Sequence, residues 1–129
     1  MATVRQFEDL EVWQKARALN RMIYAVSSAG AFARDFPLRG QARDASISVM
    51  GNIAEGFERG GNREFMQFLS IAKGSCGELR SHLCAAMDVR YITQPQHQQI
   101  NEKALEVSRM ISGLMNHLGR SAMRGSKYA

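Results

Sequence analysis

No apolar run in this chain approaches the roughly 18 residues that a membrane span needs. Met1 to Asp9 hold no apolar stretch that could serve as a signal peptide, so the expected compartment is the cytoplasm. Only two cysteines occur, Cys76 and Cys84, eight positions apart in one helical stretch. At 1.5 Å of rise per residue their Cα atoms stand about 12 Å apart. A disulfide needs less than about 7 Å, so the two cannot pair there. Cys76 falls on an apolar seam and reads as a buried structural thiol. Histidines number three, and the residues three before His82, His97 and His117 are Leu79, Gln94 and Leu114. The Glu-x-x-His pair of a di-metal bundle site is therefore missing each time. There is no Cys-x-x-Cys or Gly-x-Gly-x-x-Gly, and Gly60-Gly61 lacks the strand and the lysine of a phosphate-binding loop. No metal or other cofactor is expected.

What the chain does have is helical periodicity. Val12, Ala16, Leu19, Ile23 and Val26 follow a 4-3-4-3 spacing, and Ala42, Ala45 and Val49 repeat it in brief. Phe65, Leu69, Ala72, Cys76, Leu79, Leu83 and Ala86 form a third set. Ile100, Ala104, Val107, Ile111, Leu114 and Leu118 form a fourth. A 3.5-residue period lays each set along one stripe of a helix, the geometry of a left-handed bundle seam. Four such helices with short links predict an all-α fold, an antiparallel up-down-up-down four-helix bundle. Residues 1–129 are long enough for one domain with its own core. Leu79 and Ile111 are expected inside it.

The helices are expected at about 10–28, 38–59, 63–89 and 94–119. Asp9 is the candidate N-cap of the first and Asn62 of the third. Ala29 to Pro37, with Gly30 and no sustained period, reads as the longest loop. Arg90 to Thr93 is a tight link, and Thr93-Gln94-Pro95-Gln96 has the form of a capping box with proline in the first turn. Residues 120–129 read as a basic, frayed tail. Gly51, Gly56, Gly74, Gly77 and Gly113 fall inside helices, where each costs about 1 kcal/mol relative to alanine. Close backbone approach is one compensation, and a bend or break at Gly56 is another outcome.

Two features go beyond a plain core. The second helix carries a further apolar line, Ile47, Met50, Ala54 and Phe57, and the first offers Leu10, Trp13 and Tyr24 beside its main stripe. A helix apolar on two sides needs two partners. Either the core-facing stripe is wide, or Trp13, Tyr24, Ile47, Met50 and Phe57 belong to a subunit interface. Charge is the other feature. The formal net charge is +5, and 13 of the 17 basic residues are arginine. Asp35 is placed to pair with Arg39 and Glu55 with Arg59 at i, i+4. Arg17 and Arg21 have no acid within a helical turn, nor have Lys73 and Arg80, nor Arg120 and Arg124. Acids of neighbouring helices, acids of another subunit, or an external anion such as nucleic-acid phosphate are the competing partners.

Catalytic patterns are thin. Arg90 and His97 have the spacing seen in some small helical ribonucleases, but the pair straddles a turn and brings no carboxylate. Glu55 and Glu58, at i, i+3, read as a solvated face before they read as an acid/base pair.

Three blocks carry a family resemblance. Phe7 to Ala16 (FEDLEVWQKA) looks like the opening of the bacterial four-helix-bundle proteins encoded in intervening sequences of 23S ribosomal RNA genes. Ser48 to Phe57 (SVMGNIAEGF) resembles their central signature, and Glu64 to Ser75 with Glu78-Leu79 resembles the next helix. The likeness spans about residues 6–92. Met50 stands where that family usually has proline, and the long loop departs as well. The family is similar in fold to the accessory variability protein of diversity-generating retroelements, a basic homopentamer that binds nucleic acid and a reverse transcriptase. The resemblance implies a cytosolic homopentamer with no established enzyme activity. By analogy it implies binding of RNA or DNA, or a protein partner, and no membrane. Asn52, Glu55 and Gly56 of the signature are expected to be structural, the polar pair fixing register or capping a neighbour. The alternatives are a scaffold without nucleic-acid affinity and, more distantly, a ribonuclease.

Overall fold

A computed structural model describes the backbone of residues 3–124 and side chains as far as Arg120. Four long helices account for most of it: α1 (Glu11–Ser27), α3 (Phe36–Glu58), α4 (Asn62–Asp88) and α5 (Gln94–Arg124). A short helix, α2 (Gly30–Arg34), lies between the first two, and a single 3-10 turn, Phe7–Asp9, precedes them. In the ring around the core, α1 packs on α3, α3 on α4, α4 on α5, and α5 back on α1. Every neighbouring pair is antiparallel. Across α1 and α3, Asn20 meets Ser46 while Ser27 meets Arg43. Across α4 and α5, Arg80 meets Asn101 while Met66 lies by Gly119.

The seams predicted from spacing form this core. Ala16, Leu19, Ile23, Val49, Leu69, Ala72, Cys76, Leu79, Leu83, Ala104, Val107 and Ile111 are fully buried. Val26 and Leu114 are partly buried at its edge. Burial pushes the Cys76 thiol up to about 11, partly offset by the charge of Arg80, so it stays protonated and inert at neutral pH. Cys84 is exposed.

The segment expected to be the longest loop is the main correction. Gly30, with φ +59, turns the chain out of α1, and five residues coil into α2. Phe32 from that turn is 1% exposed and closes the end of the core, stacked on Tyr91 at 5.6 Å. α3 then begins at Phe36, earlier than expected, because Asp35 caps it. The Asp35 carboxylate accepts the Leu38 amide at 3.1 Å, and Pro37 sits in the first turn, where no amide is needed.

Other boundaries shift slightly. Asp9 does not cap α1; its carboxylate accepts the amides of Arg5 and Gln6 and closes the preceding turn. Gly61 rather than Asn62 is the N-cap of α4. The capping box before α5 forms as read: the Thr93 amide donates to Gln96 Oε1 at 2.8 Å, and the Gln96 amide to Thr93 Oγ1 at 3.2 Å. α4 ends in a Schellman turn, with Tyr91 N–H on Ala86 C=O and Arg90 N–H on Met87 C=O. Arg90 takes the left-handed position at φ +63, where glycine is usual. α5 runs on to Arg124, past Gly119 where its end was expected; residues 125–129 of the expected tail lie outside the described residues.

The helical glycines divide sharply. A Cβ on Gly56 would stand 2.6 Å from Phe68 Cβ and 3.0 Å from Phe65 Cδ1, so α3 and α4 touch there through bare backbone. The helix does not break at Gly56 but continues to Glu58. Gly51, Gly74, Gly77 and Gly113 have nothing within 4 Å of a would-be Cβ, so close approach inside the subunit does not account for them.

Candidate interaction surface

The signature residues come first. Asn52 Nδ2 donates to the Ser48 carbonyl at 2.8 Å and to Ser48 Oγ at 2.9 Å. Ser48 Oγ in turn meets Ser75 Oγ of α4 at 2.9 Å. Asn52 thus holds Ser48, whose hydroxyl reaches across to Ser75 of α4. Glu55 does something else. It is exposed and holds Arg59 at 2.8 Å, as its spacing suggested. Glu64 lies 3.8 Å from the same guanidinium. The two signature polar residues therefore serve different faces.

The second apolar line makes a shallow groove of about 270 Å³ on the outer side of α1 and α3, lined by Phe7, Trp13, Ile47, Met50, Gly51 and Ala54. Ile47 is 45% exposed, and Phe7 meets Trp13 edge-on at 5.1 Å. Tyr24 is exposed farther along the same face. Phe57 is set apart: it packs edge-on against Phe65 at 6.0 Å and lines a different hollow, with Gly60, Gly61 and Leu118.

Among the described residues, ion pairs join Lys15 and Lys103 to Glu106 and Arg59 to Glu55 and Glu64, and His82 Nε2 lies 3.6 Å from the Glu78 carboxylate. The Lys103 hydrogen bond holds the Glu106 carboxyl below its usual range, against a small opposing effect of burial. Arg17, Arg21, Lys73, Arg80 and Arg120 are exposed and in none of these pairs. Arg17 lies over the Trp13 ring at 5.7 Å, and Arg80 donates Nε to Asn101 Oδ1 at 3.0 Å. They do not form one patch. α1 and α4 are diagonal in the bundle, so Arg17 and Arg21 sit at one corner and Lys73 and Arg80 at the opposite one. The Arg124 side chain lies outside the described residues.

The expected pairing of Asp35 with Arg39 does not form. Asp35 is already engaged, accepting the Leu38 amide and, at 2.9 Å, the Tyr91 hydroxyl. That hydrogen bond raises the Tyr91 phenol above its usual range. Arg39 instead donates Nη1 to the Ala33 carbonyl at 2.8 Å and lies over the Phe36 ring at 4.6 Å. Arg43 donates to Ser27 Oγ and Ser28 Oγ and lies over the Tyr24 ring at 4.4 Å. Helix-by-helix charge counting missed both. Their partners are neutral and come from the corner where α1, α2 and α3 meet.

Arg90 is exposed at the turn, and His97 Nε2 is buried without a hydrogen-bond partner in the first turn of α5. Among the described residues no three His, Cys, Asp or Glu side chains stand where they could share a metal ion. No described helix is long and apolar enough to cross a membrane.

Fold and surface together define a small basic four-helix bundle with an uncovered apolar band on one face. Residues 8–113 match the family described as 23S rRNA-intervening sequence protein, and the chain belongs to that family. A solved structure from Bacteroides thetaiotaomicron VPI-5482, a protein of unknown function from the S23 ribosomal protein family, shares the fold. It superposes with a TM-score of 0.73 at 21% identity, over 81% of this chain and 97% of that one. No curated protein matches the chain.

Proposed function

We propose that this protein is a non-enzymatic accessory of the cytoplasm that assembles with itself and binds nucleic acid through phosphates. The observation that carries the reading is the apolar band on α1 and α3. Ile47 is exposed and half-buried Trp13 and Met50 line the same shallow apolar groove, beside Arg17, which no carboxylate neutralises. Such a band favours a second copy, and a ring of copies would repeat each free charge around one axis and strengthen the field. Five subunits is the number the resemblance implies.

Sedimentation tests the assembly. A species several times the 14.4 kDa subunit is expected, and Ile47→Asp should lower its mass without unfolding the bundle. A 14.4 kDa monomer at all concentrations would end the reading. Titration of short RNA and DNA at two salt concentrations tests the second half. Binding should weaken steeply with salt, because each phosphate contact releases counterions. Arg17→Glu with Arg21→Glu should weaken it and flatten the salt slope. An assembled protein that binds nothing at low salt is a scaffold.

A further inference from the structure

We propose that the α2 end of the bundle is a landing site for single-stranded nucleic acid. Arg34, Arg39, Arg43 and Arg90 hold its phosphates, and Phe36, with Tyr24, stacks its bases. This rests on the nucleic-acid reading above and gives it a place and a strand preference.

The starting observation is Phe36. At 64% exposed it is the most open large apolar side chain among the described residues, although it begins a helix whose core lies on the other side. The Arg39 guanidinium lies over its ring, held there by the Ala33 carbonyl. One turn farther along α3, Arg43 repeats the arrangement over Tyr24, fixed by Ser27 and Ser28. Two guanidiniums are thus held in place by neutral groups, so their charge is undiminished. Arg39 has Nε and Nη2 uncommitted and Arg43 has Nη1 uncommitted, each able to donate outward. Side chains already ordered in this way lose little entropy when a ligand arrives.

Arg34, the last residue of α2, and Arg90, in the turn before α5, add exposed charge at the same end. Two acids at this end, Asp35 and Asp88, oppose the four arginines, so the balance stays positive. Asp35 is held by neutral donors, the Leu38 amide and the Tyr91 hydroxyl. Asp44 lies toward α4, in a groove with Gln41, Ser48 and Glu78. Asp88 ends α4 and remains exposed.

Alternating guanidiniums and open rings are what a single strand recognises. Its bases present free faces to aromatic rings and guanidinium planes, while its phosphates are met by the cations. A duplex keeps its base faces stacked inside and offers the rings none of them.

The test is fluorescence anisotropy of the full chain with a labelled ten-nucleotide RNA, the matching DNA, and each as a duplex. Single strands should bind more tightly than duplexes. Phe36→Ala should weaken single-strand binding about tenfold with the salt slope unchanged, because it removes stacking alone. Phe36→Trp should restore it. Arg39→Gln and Arg43→Gln should each flatten the slope by about one phosphate contact. Because Arg43 also ties α3 to α1, the Phe36 variants decide the matter should Arg43→Gln lower stability.

Single-strand binding that ignores Phe36→Ala and Arg39→Gln yet falls with Arg17→Glu and Arg21→Glu overturns this site and leaves the broader reading intact. Equal affinity for duplex and single strand overturns the stacking role. No binding of any nucleic acid at low salt overturns both. Tighter binding of poly-glutamate than of the oligonucleotide overturns the proposal in favour of an acidic protein partner.

Discussion

The two ends of the bundle solve the same problem with opposite chemistry. Where α3 turns into α4, the helices meet backbone to backbone at Gly56, and Arg59 is clamped by Glu55 and Glu64 over the Phe68 ring. Where α1 gives way to α2 and α3, an inserted aromatic, Phe32, fills the gap. The arginines there find hydroxyls, a carbonyl and rings in place of carboxylates. One end is tight and charge-balanced. The other is plugged by a side chain and left positive. The difference separates two uses of arginine: Arg59 spends its charge inside the subunit, while Arg39 and Arg43 are held still with theirs unspent.

The largest effect should come from removing the plug. Phe32→Ala deletes a fully enclosed ring and its stack on Tyr91, and should cost about 3–5 kcal/mol in a denaturant melt. A loss below about 1 kcal/mol would mean that α2 is dispensable and that the two ends differ less than their packing implies.

At the tight end, Gly56→Ala forces a methyl against Phe68 Cβ and Phe65, where the rigid base of a side chain leaves little room to yield. Overpacking of this kind costs about 1–3 kcal/mol, which matches or exceeds the roughly 1 kcal/mol that alanine would bring to an ordinary helix position. Gly74→Ala, with nothing within 4 Å, is the control and should stabilise the subunit. Equal effects at the two sites would show that the α3–α4 contact is looser than drawn.

The smallest effect sharpens the electrostatic side. Arg90→Gly relieves the left-handed position and should stabilise the fold by about 1 kcal/mol, read as a higher melting temperature. It also removes one cation from the open end. A more stable protein with a flatter salt slope for oligonucleotide binding is the expected pair of results.

Much of this bundle was legible in the sequence, and what escaped shares a cause. The seams from Val12 to Leu118 were readable because a repeated apolar step needs only local spacing. Gly56 stands out as an interior glycine, but its partners Phe65 and Phe68 lie across a turn, so spacing leaves its role open between contact and break. The five residues of α2 are too few to show a period, and Phe32 stands among small residues with no companion. Spacing at i, i+4 pairs Arg39 with Asp35, while that carboxylate is held by Tyr91, 56 residues away. Arg43 depends on serines of another helix. Pairing within a helix is written in the sequence; competition for the same carboxylate from a distant part of the chain is not.

The closed ring of antiparallel helices has a kinetic consequence. The α1–α3, α3–α4 and α4–α5 seams each join segments close in sequence, so little loop-closure entropy opposes them and they form rapidly. The α1–α5 seam joins the two extremes of the chain and is bridged by the Lys15–Glu106 pair, with Met22 half-buried against the core beside an open cleft. It is therefore expected to be the last edge to zip during folding and the first to part in hydrogen exchange, a hinge line along which the bundle opens like a book.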